Sequence, residues 1–161
     1  MKKENSMKLL VISGPNLNML GIREKNIYGT ETYEGLIRFV QRVCEDEGIE
    51  TEFFQSNHEG SIVDRIQEAY GKTDGIIINP AAYTHTSVAI LDALKAVSIP
   101  ACEVHLSNIY EREEFRHHSF ISAACIRTFY GMGFEGYREA VLCLKQYLQK
   151  QEEQTQNDTG H

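Results

Sequence analysis

Three short apolar runs in this sequence each end in polar side chains of catalytic type. Leu9-Leu10-Val11-Ile12 leads into Gly14-Pro15-Asn16-Leu17-Asn18-Met19-Leu20-Gly21. Gly75 to Ile78 leads into Asn79-Pro80-Ala81-Ala82-Tyr83-Thr84-His85-Thr86-Ser87. The run from Ala101 leads into Glu103-Val104-His105-Leu106-Ser107-Asn108. Alone, the Gly/Pro/Asn-rich loop would read as a turn. Glu103 and His105 are two apart on one predicted strand, so both side chains project from the same face. A carboxylate held beside an imidazole fixes the ring's tautomer and supports its protonated form, the state a general acid needs. Leu106-Ser107-Asn108 is expected to open a short helix, whose free backbone N–H groups suit a carboxylate; an N-cap role for Ser107 is compatible with that. His85, His105, His117 and His118 show no metal-ligand spacing, and the cysteines form no C-x-x-C pair, so no metal is expected.

Chemistry of this kind needs a rigid frame, and the apolar pattern supplies one. The runs at Leu9 to Ile12, Thr51 to Phe54, Gly75 to Ile78, Ala101 to Val104 and Ala123 to Phe129 read as five strands, several buried on both faces. Between them, Leu36/Phe39/Val40/Val43/Cys44, Ile62/Ile66/Ala69/Tyr70 and Ile90/Leu94/Val97 follow the spacing of amphipathic helices. Tyr137/Ala140/Val141/Leu144/Leu148 give a last helix. Alternating strands and helices imply a flavodoxin-like, doubly wound five-stranded parallel sheet with helices on both faces. In such sheets ligands bind outside the carboxyl ends of the strands, where all three polar segments fall.

The 161 residues suit one domain, expected over residues 7–150, with 1–6 and 151–161 as disordered tails. Apolar residues make up 42% and charged residues 24%, an ordinary globular composition. A net charge of −7 without clustered Lys and Arg argues against nucleic-acid binding. No apolar run approaches the ~20 residues that cross a bilayer, and Met1 to Ser6 lack a signal peptide's apolar stretch. A cytoplasmic location without membrane contact is expected, with Cys44, Cys102, Cys125 and Cys143 as buried free thiols.

Five blocks in order, from about Lys8 to Leu148, closely resemble the type II dehydroquinases. They are Gly14-Pro15-Asn16-Leu17-Asn18-x-Leu20-Gly21, Arg23 with Tyr28-Gly29, Asn79-Pro80-x-Ala82-Tyr83-Thr84-His85-Thr86-Ser87, Glu103 to Asn108, and Arg112-x-x-Phe115-Arg116-His117-x-Ser119. The resemblance implies a cofactor-free hydro-lyase that converts 3-dehydroquinate to 3-dehydroshikimate through an enolate, in the shikimate route to aromatic compounds or in quinate breakdown. It makes Tyr28 the proton acceptor, activated by Arg23. His105 becomes the proton donor, assisted by Glu103, and Asn16 helps hold the enolate through a water. Asn79, His85, Leu106, Ser107 and Arg116 would contact substrate, and Arg112 belongs to a mobile active-site region. Asp92 would reach into a neighbouring subunit's site, within a dodecamer built as a tetramer of trimers. Ala81 departs from the pattern, since many relatives have Gly there.

The chemistry fits these side chains. Abstracting a ketone's α-proton takes a strong base, and half-ionising a tyrosine of ordinary pKa ~10 at neutral pH takes roughly 4 kcal/mol. One guanidinium at about 4 Å and an effective dielectric of about 20 supplies a Coulomb energy of that order. Three other readings are weaker. A phosphorylated receiver needs acidic residues where Ser13-Gly14-Pro15 and Asn79-Pro80 stand, and a flavin-binding carrier needs a Ser/Thr-Gly-rich phosphate loop where Pro15-Asn16-Leu17 stands. A non-catalytic carboxylate binder would not need the full set of catalytic side chains present here.

Overall fold

Alternate residues of the central strands bury against opposite layers of helices, which is why their apolar runs are continuous. The computed structural model describes residues 6–22 and 31–160. Its strands are β1 (Lys8–Ser13), β2 (Glu50–Gln55), β3 (Gly75–Asn79), β4 (Ala101–His105) and β5 (Arg127–Tyr130). They form one parallel sheet in the order β2-β1-β3-β4-β5, which is the order of the doubly wound, flavodoxin-like class expected from the sequence.

The helices are α1 (Tyr33–Asp46), α2 (Glu59–Glu68), α3 (Val88–Val97) and α4 (Glu135–Thr159). On one face Leu9, Val11, Ile77 and Val104 pack with Leu36, Val40 and Val43 of α1 and with Tyr137, Val141 and Leu144 of α4. On the other, Leu10, Ile12, Ile76 and Ile78 meet Ile62 and Ile66 of α2 and Ile90, Leu94 and Val97 of α3. Thr32 and Ser87 cap α1 and α3, accepting from the Gly35 and Ile90 N–H groups at 3.1 and 2.9 Å. The helix that carries Asp92 therefore starts at a fixed point directly after the β3 loop.

Four local expectations change. The last strand starts at Arg127 rather than Ala123, because Ile121–Ala124 forms a 3-10 turn held by the Ser122 N–H on Ser119 Oγ at 3.2 Å. Tyr70 lies past the end of α2 and is 68% exposed, so it is not part of that helix's buried stripe. Helix α4 runs on to Thr159 where a disordered tail was expected. Gln and Glu are good helix formers, and Thr155 and Thr159 return hydroxyl bonds to the carbonyls of Gln151 and Thr155. Finally, the turn after β4, Ile109–Glu111, is capped by Asn108 rather than Ser107, through its side chain and the Tyr110 N–H at 3.0 Å.

The four cysteines are free, Cys44 and Cys102 fully buried and the others partly. Burial raises the thiols of Cys44 and Cys102 and pushes Cys125 up to about 12, with the Glu103 charge adding to the last. These three are poor sources of a thiolate nucleophile. Among the described residues, no helix is long and apolar enough to cross a membrane.

Candidate active site

A cleft of about 430 Å³ opens at the carboxyl ends of β1, β3 and β4. Its floor is set by a close backbone approach: the Gly14 N–H donates to the Asn79 carbonyl at 2.8 Å. Gln55, at the end of β2, donates through Nε2 to the Gly14 carbonyl at 3.1 Å and to Asn18 Oδ1 at 3.3 Å. Asn57 accepts the Asn16 N–H at 3.0 Å on Oδ1, and its own carbonyl accepts the Tyr83 hydroxyl at 2.7 Å. These bonds hold Asn16, in left-handed backbone at φ 72°, on the cleft wall. Asn57 drew no notice in the sequence, since its partners lie 41 and 26 residues away.

Asn79 is buried where β3 ends. Its Oδ1 accepts the Ala81 N–H at 3.1 Å, which turns its carboxamide NH2 the other way, and the side chain also lies beside the Tyr137 hydroxyl. The turn then carries His85 to the cleft, where Nδ1 donates to the His118 carbonyl at 2.8 Å. A carbonyl can only accept, so the neutral ring presents Nε2 as an acceptor. Burial chiefly holds His85 below the ordinary imidazole value, and the charges of His105 and Arg116 act in the same direction. At neutral pH His85 suits acceptance of a substrate hydroxyl.

His105 lines the cleft, and behind it lies Glu103, fully buried. Nε2 of His105 is 2.5 Å from Glu103 Oε2. The same carboxylate accepts from Ser119 Oγ at 2.9 and 3.0 Å and from Ser122 Oγ at 3.0 Å. With Nε2 committed to Glu103, Nδ1 is the ring nitrogen without a partner among the described residues. A proton held there can be handed to a ligand's leaving group.

Leu106, Ser107, Arg112 and Arg116 complete the wall. Arg116 is steadied by Glu113, Nε to Oε2 at 2.7 Å, and its guanidinium lies 5.0 Å from the Phe115 ring centroid. The Arg112 carbonyl accepts from His117 Nε2 at 2.9 Å. No acidic side chain lines the cleft among the described residues, while two guanidiniums and two imidazoles do. An otherwise acidic chain thus offers a local pocket for a small anion.

Eight of the site residues expected from the sequence meet here: Asn16, Asn79, His85, His105, Leu106, Ser107, Arg112 and Arg116. Glu103 supports them from behind. Asp92 does not join them. It is exposed on α3, on the side away from Ile90 and Leu94. Arg23 and Tyr28 lie outside the described residues. Ser122 escaped the sequence reading because it falls just before the stretch taken for strand and outside every recognised block, and Ser119 stood in a recognised block without a role.

A doubly wound sheet whose strand ends carry an imidazole–carboxylate pair beside a cleft with no acidic side chain among the described residues is the architecture of an α/β enzyme with its site at the carboxyl edge of the sheet. The family model described as dehydroquinase class II matches residues 7–145, and the chain belongs to that family of enzymes. Among its relatives is a 3-dehydroquinate dehydratase of Caldicellulosiruptor bescii, 58% identical over 142 residues, covering 88% of this chain and 98% of the relative. Another, from Clostridium acetobutylicum, is 54% identical over 144 residues, covering 89% of this chain and all of the relative. The crystal structure of type II dehydroquinase from Butyrivibrio crossotus superposes with a TM-score of 0.85 at 57% identity, over 87% of this chain and 98% of that one.

Proposed function

We propose that this chain dehydrates 3-dehydroquinate to 3-dehydroshikimate by anti elimination through an enolate. The observation that carries the reading is the His105–Glu103 pair, whose 2.5 Å contact leaves one imidazole nitrogen for the cleft. Tyr28, activated by Arg23, removes the α-proton, and Asn16 steadies the enolate through a water. His105 then protonates the departing hydroxyl, so that C–O cleavage releases water rather than hydroxide. Arg112 and Arg116 attract the substrate carboxylate. Leu106 and Ser107 offer backbone N–H groups to it, and the Asn79 amide and His85 Nε2 bind hydroxyls.

The reaction needs neither metal nor cofactor, since the acid, the base and the enolate's partners are all side chains. Residues 7–150 form the catalytic unit, working in the cytoplasm on the shikimate route to aromatic amino acids; quinate catabolism would use the same reaction. Twelve subunits assemble as four trimers, with Asp92 donated to a neighbour's site.

The direct test is ultraviolet absorbance of the conjugated enone when 3-dehydroquinate is added to the purified chain. Absence of that absorbance refutes the proposal. His105→Ala separates the steps: in heavy water it should still exchange the substrate's α-proton but release no enone. Unimpaired dehydration by that variant would reject His105 as the donor.

A further inference from the structure

Glu103 is a fully buried carboxylate with no lysine or arginine paired to it among the described residues. Burying a carboxylate is costly unless hydrogen bonds replace its water. Here the replacements are hydroxyls. Ser119 Oγ accepts the Ser122 N–H at 3.2 Å, so its single proton is turned toward Glu103, reaching Oε1 at 2.9 Å and Oε2 at 3.0 Å. Ser122 gives its own proton to Oε1 at 3.0 Å, which leaves Thr128 as the donor in the 3.4 Å Thr128–Ser122 contact. Thr128 is also the Cα partner of Glu103 across β4 and β5. Hydroxyl protons thus point at Glu103 from the turn, and among the described residues the only other donor on it is His105 Nε2.

We propose that Ser119 and Ser122 are positioning residues for proton delivery by His105. Their hydroxyls fix the Glu103 carboxylate as an acceptor, which commits the imidazole's Nε2–H to Glu103 and presents Nδ1–H to the leaving group. In the step itself the Nδ1 proton passes to the substrate hydroxyl and the C–O bonding pair leaves with that oxygen as water. The ring ends neutral, with Nε2–H still on Glu103. Without the serine donors the carboxylate is free to rotate, and the ring loses its fixed orientation. Neither serine lines the cleft, so substrate binding is not their task.

The inference rests on the proposed dehydration, and the experiment separates the two. Ser119→Ala and Ser122→Ala, measured in the full chain with 3-dehydroquinate, should each lower kcat on the order of 10- to 100-fold, the worth of one hydroxyl bond to a charged acceptor. KM should change little, and α-proton exchange in heavy water should persist. Ser119→Thr and Ser122→Thr, which keep the hydroxyl, should recover most of the loss. In a Glu103→Gln background the alanine substitutions should add less than about twofold, because their route to His105 is already cut. A wild-type chain that turns over beside serine variants within threefold of it would overturn this inference alone. So would losses that multiply fully with Glu103→Gln, which mark a general packing effect. A wild-type chain inert toward 3-dehydroquinate overturns both readings.

Discussion

Replacing Gly14 by alanine tests whether the cleft depends on a backbone approach that only glycine allows. A Cβ added at Gly14 would lie 2.3 Å from the Pro80 carbonyl oxygen and 2.6 Å from its carbon. Ordinary contact begins at 3.4 Å, so the β1 and β3 loops must part by about 1.1 Å. The obstacle is main chain and cannot swing aside. That movement stretches the 2.8 Å bond from the Gly14 N–H to Asn79 and displaces the carboxamide that faces the cleft. Overpacking of this kind costs roughly 1–3 kcal/mol, or about 2–12 °C in Tm for a domain of this size. A reactive group moved by about 1 Å costs on the order of a hundredfold in rate. We expect Gly14→Ala to fold with a lowered Tm by calorimetry and to lose about two orders of magnitude in kcat/KM. Gly60→Ala is the control, because nothing lies within 4 Å of its added Cβ and it sits in the first turn of α2. Activity within threefold of wild type and an unchanged Tm for Gly14→Ala would show that the loops separate freely and that their approach does not set the site.

Ala81 has left-handed backbone at φ 53°, which costs an alanine about 1–2 kcal/mol, while a glycine there gives back about 0.4–1 kcal/mol in unfolded-chain entropy. Ala81→Gly should therefore match wild-type stability or exceed it by up to about 1.6 kcal/mol in urea unfolding; a loss of about 1 kcal/mol or more would contradict the strain argument. His85 is held below its ordinary value of 6.5, so the unfolded chain binds the extra proton first and folding stability falls as pH drops through 6.5 toward the folded value. His85→Gln should flatten that part of the stability–pH curve, and an unchanged slope would assign it to another group. Tyr28→Phe removes one oxygen and should abolish turnover with little loss of affinity; turnover within threefold of wild type would eliminate Tyr28 as the base. Asp92→Ala chains should regain some activity when co-assembled with Tyr28→Phe chains, because sites between unlike subunits can pair an intact Tyr28 with an intact Asp92. A fully active monomer in light scattering would reject that arrangement.

Local order was legible in the sequence because it is written in local spacing. The apolar runs at Leu9 and Gly75 and the 3.6-residue period of Leu36, Val40 and Val43 are consequences of which faces must be buried. The two-residue step from Glu103 to His105 fixed their common side of β4 before any coordinates, and the polar segments after β1, β3 and β4 marked the end of the sheet to search. Composition misled at residues 151–159, where polar side chains suggested a tail although most are good helix formers. Only the tertiary structure could bring Asn57 under Asn16, 41 residues earlier, or lay Ser119 and Ser122 on a carboxylate 16 and 19 residues before them. A hydrogen bond across such distances leaves no period in the chain. It exists because closing the sheet drives Glu103 out of water, and the turn at Ile121–Ala124 takes the shape that brings hydroxyls to a buried carboxylate that no lysine or arginine reaches among the described residues.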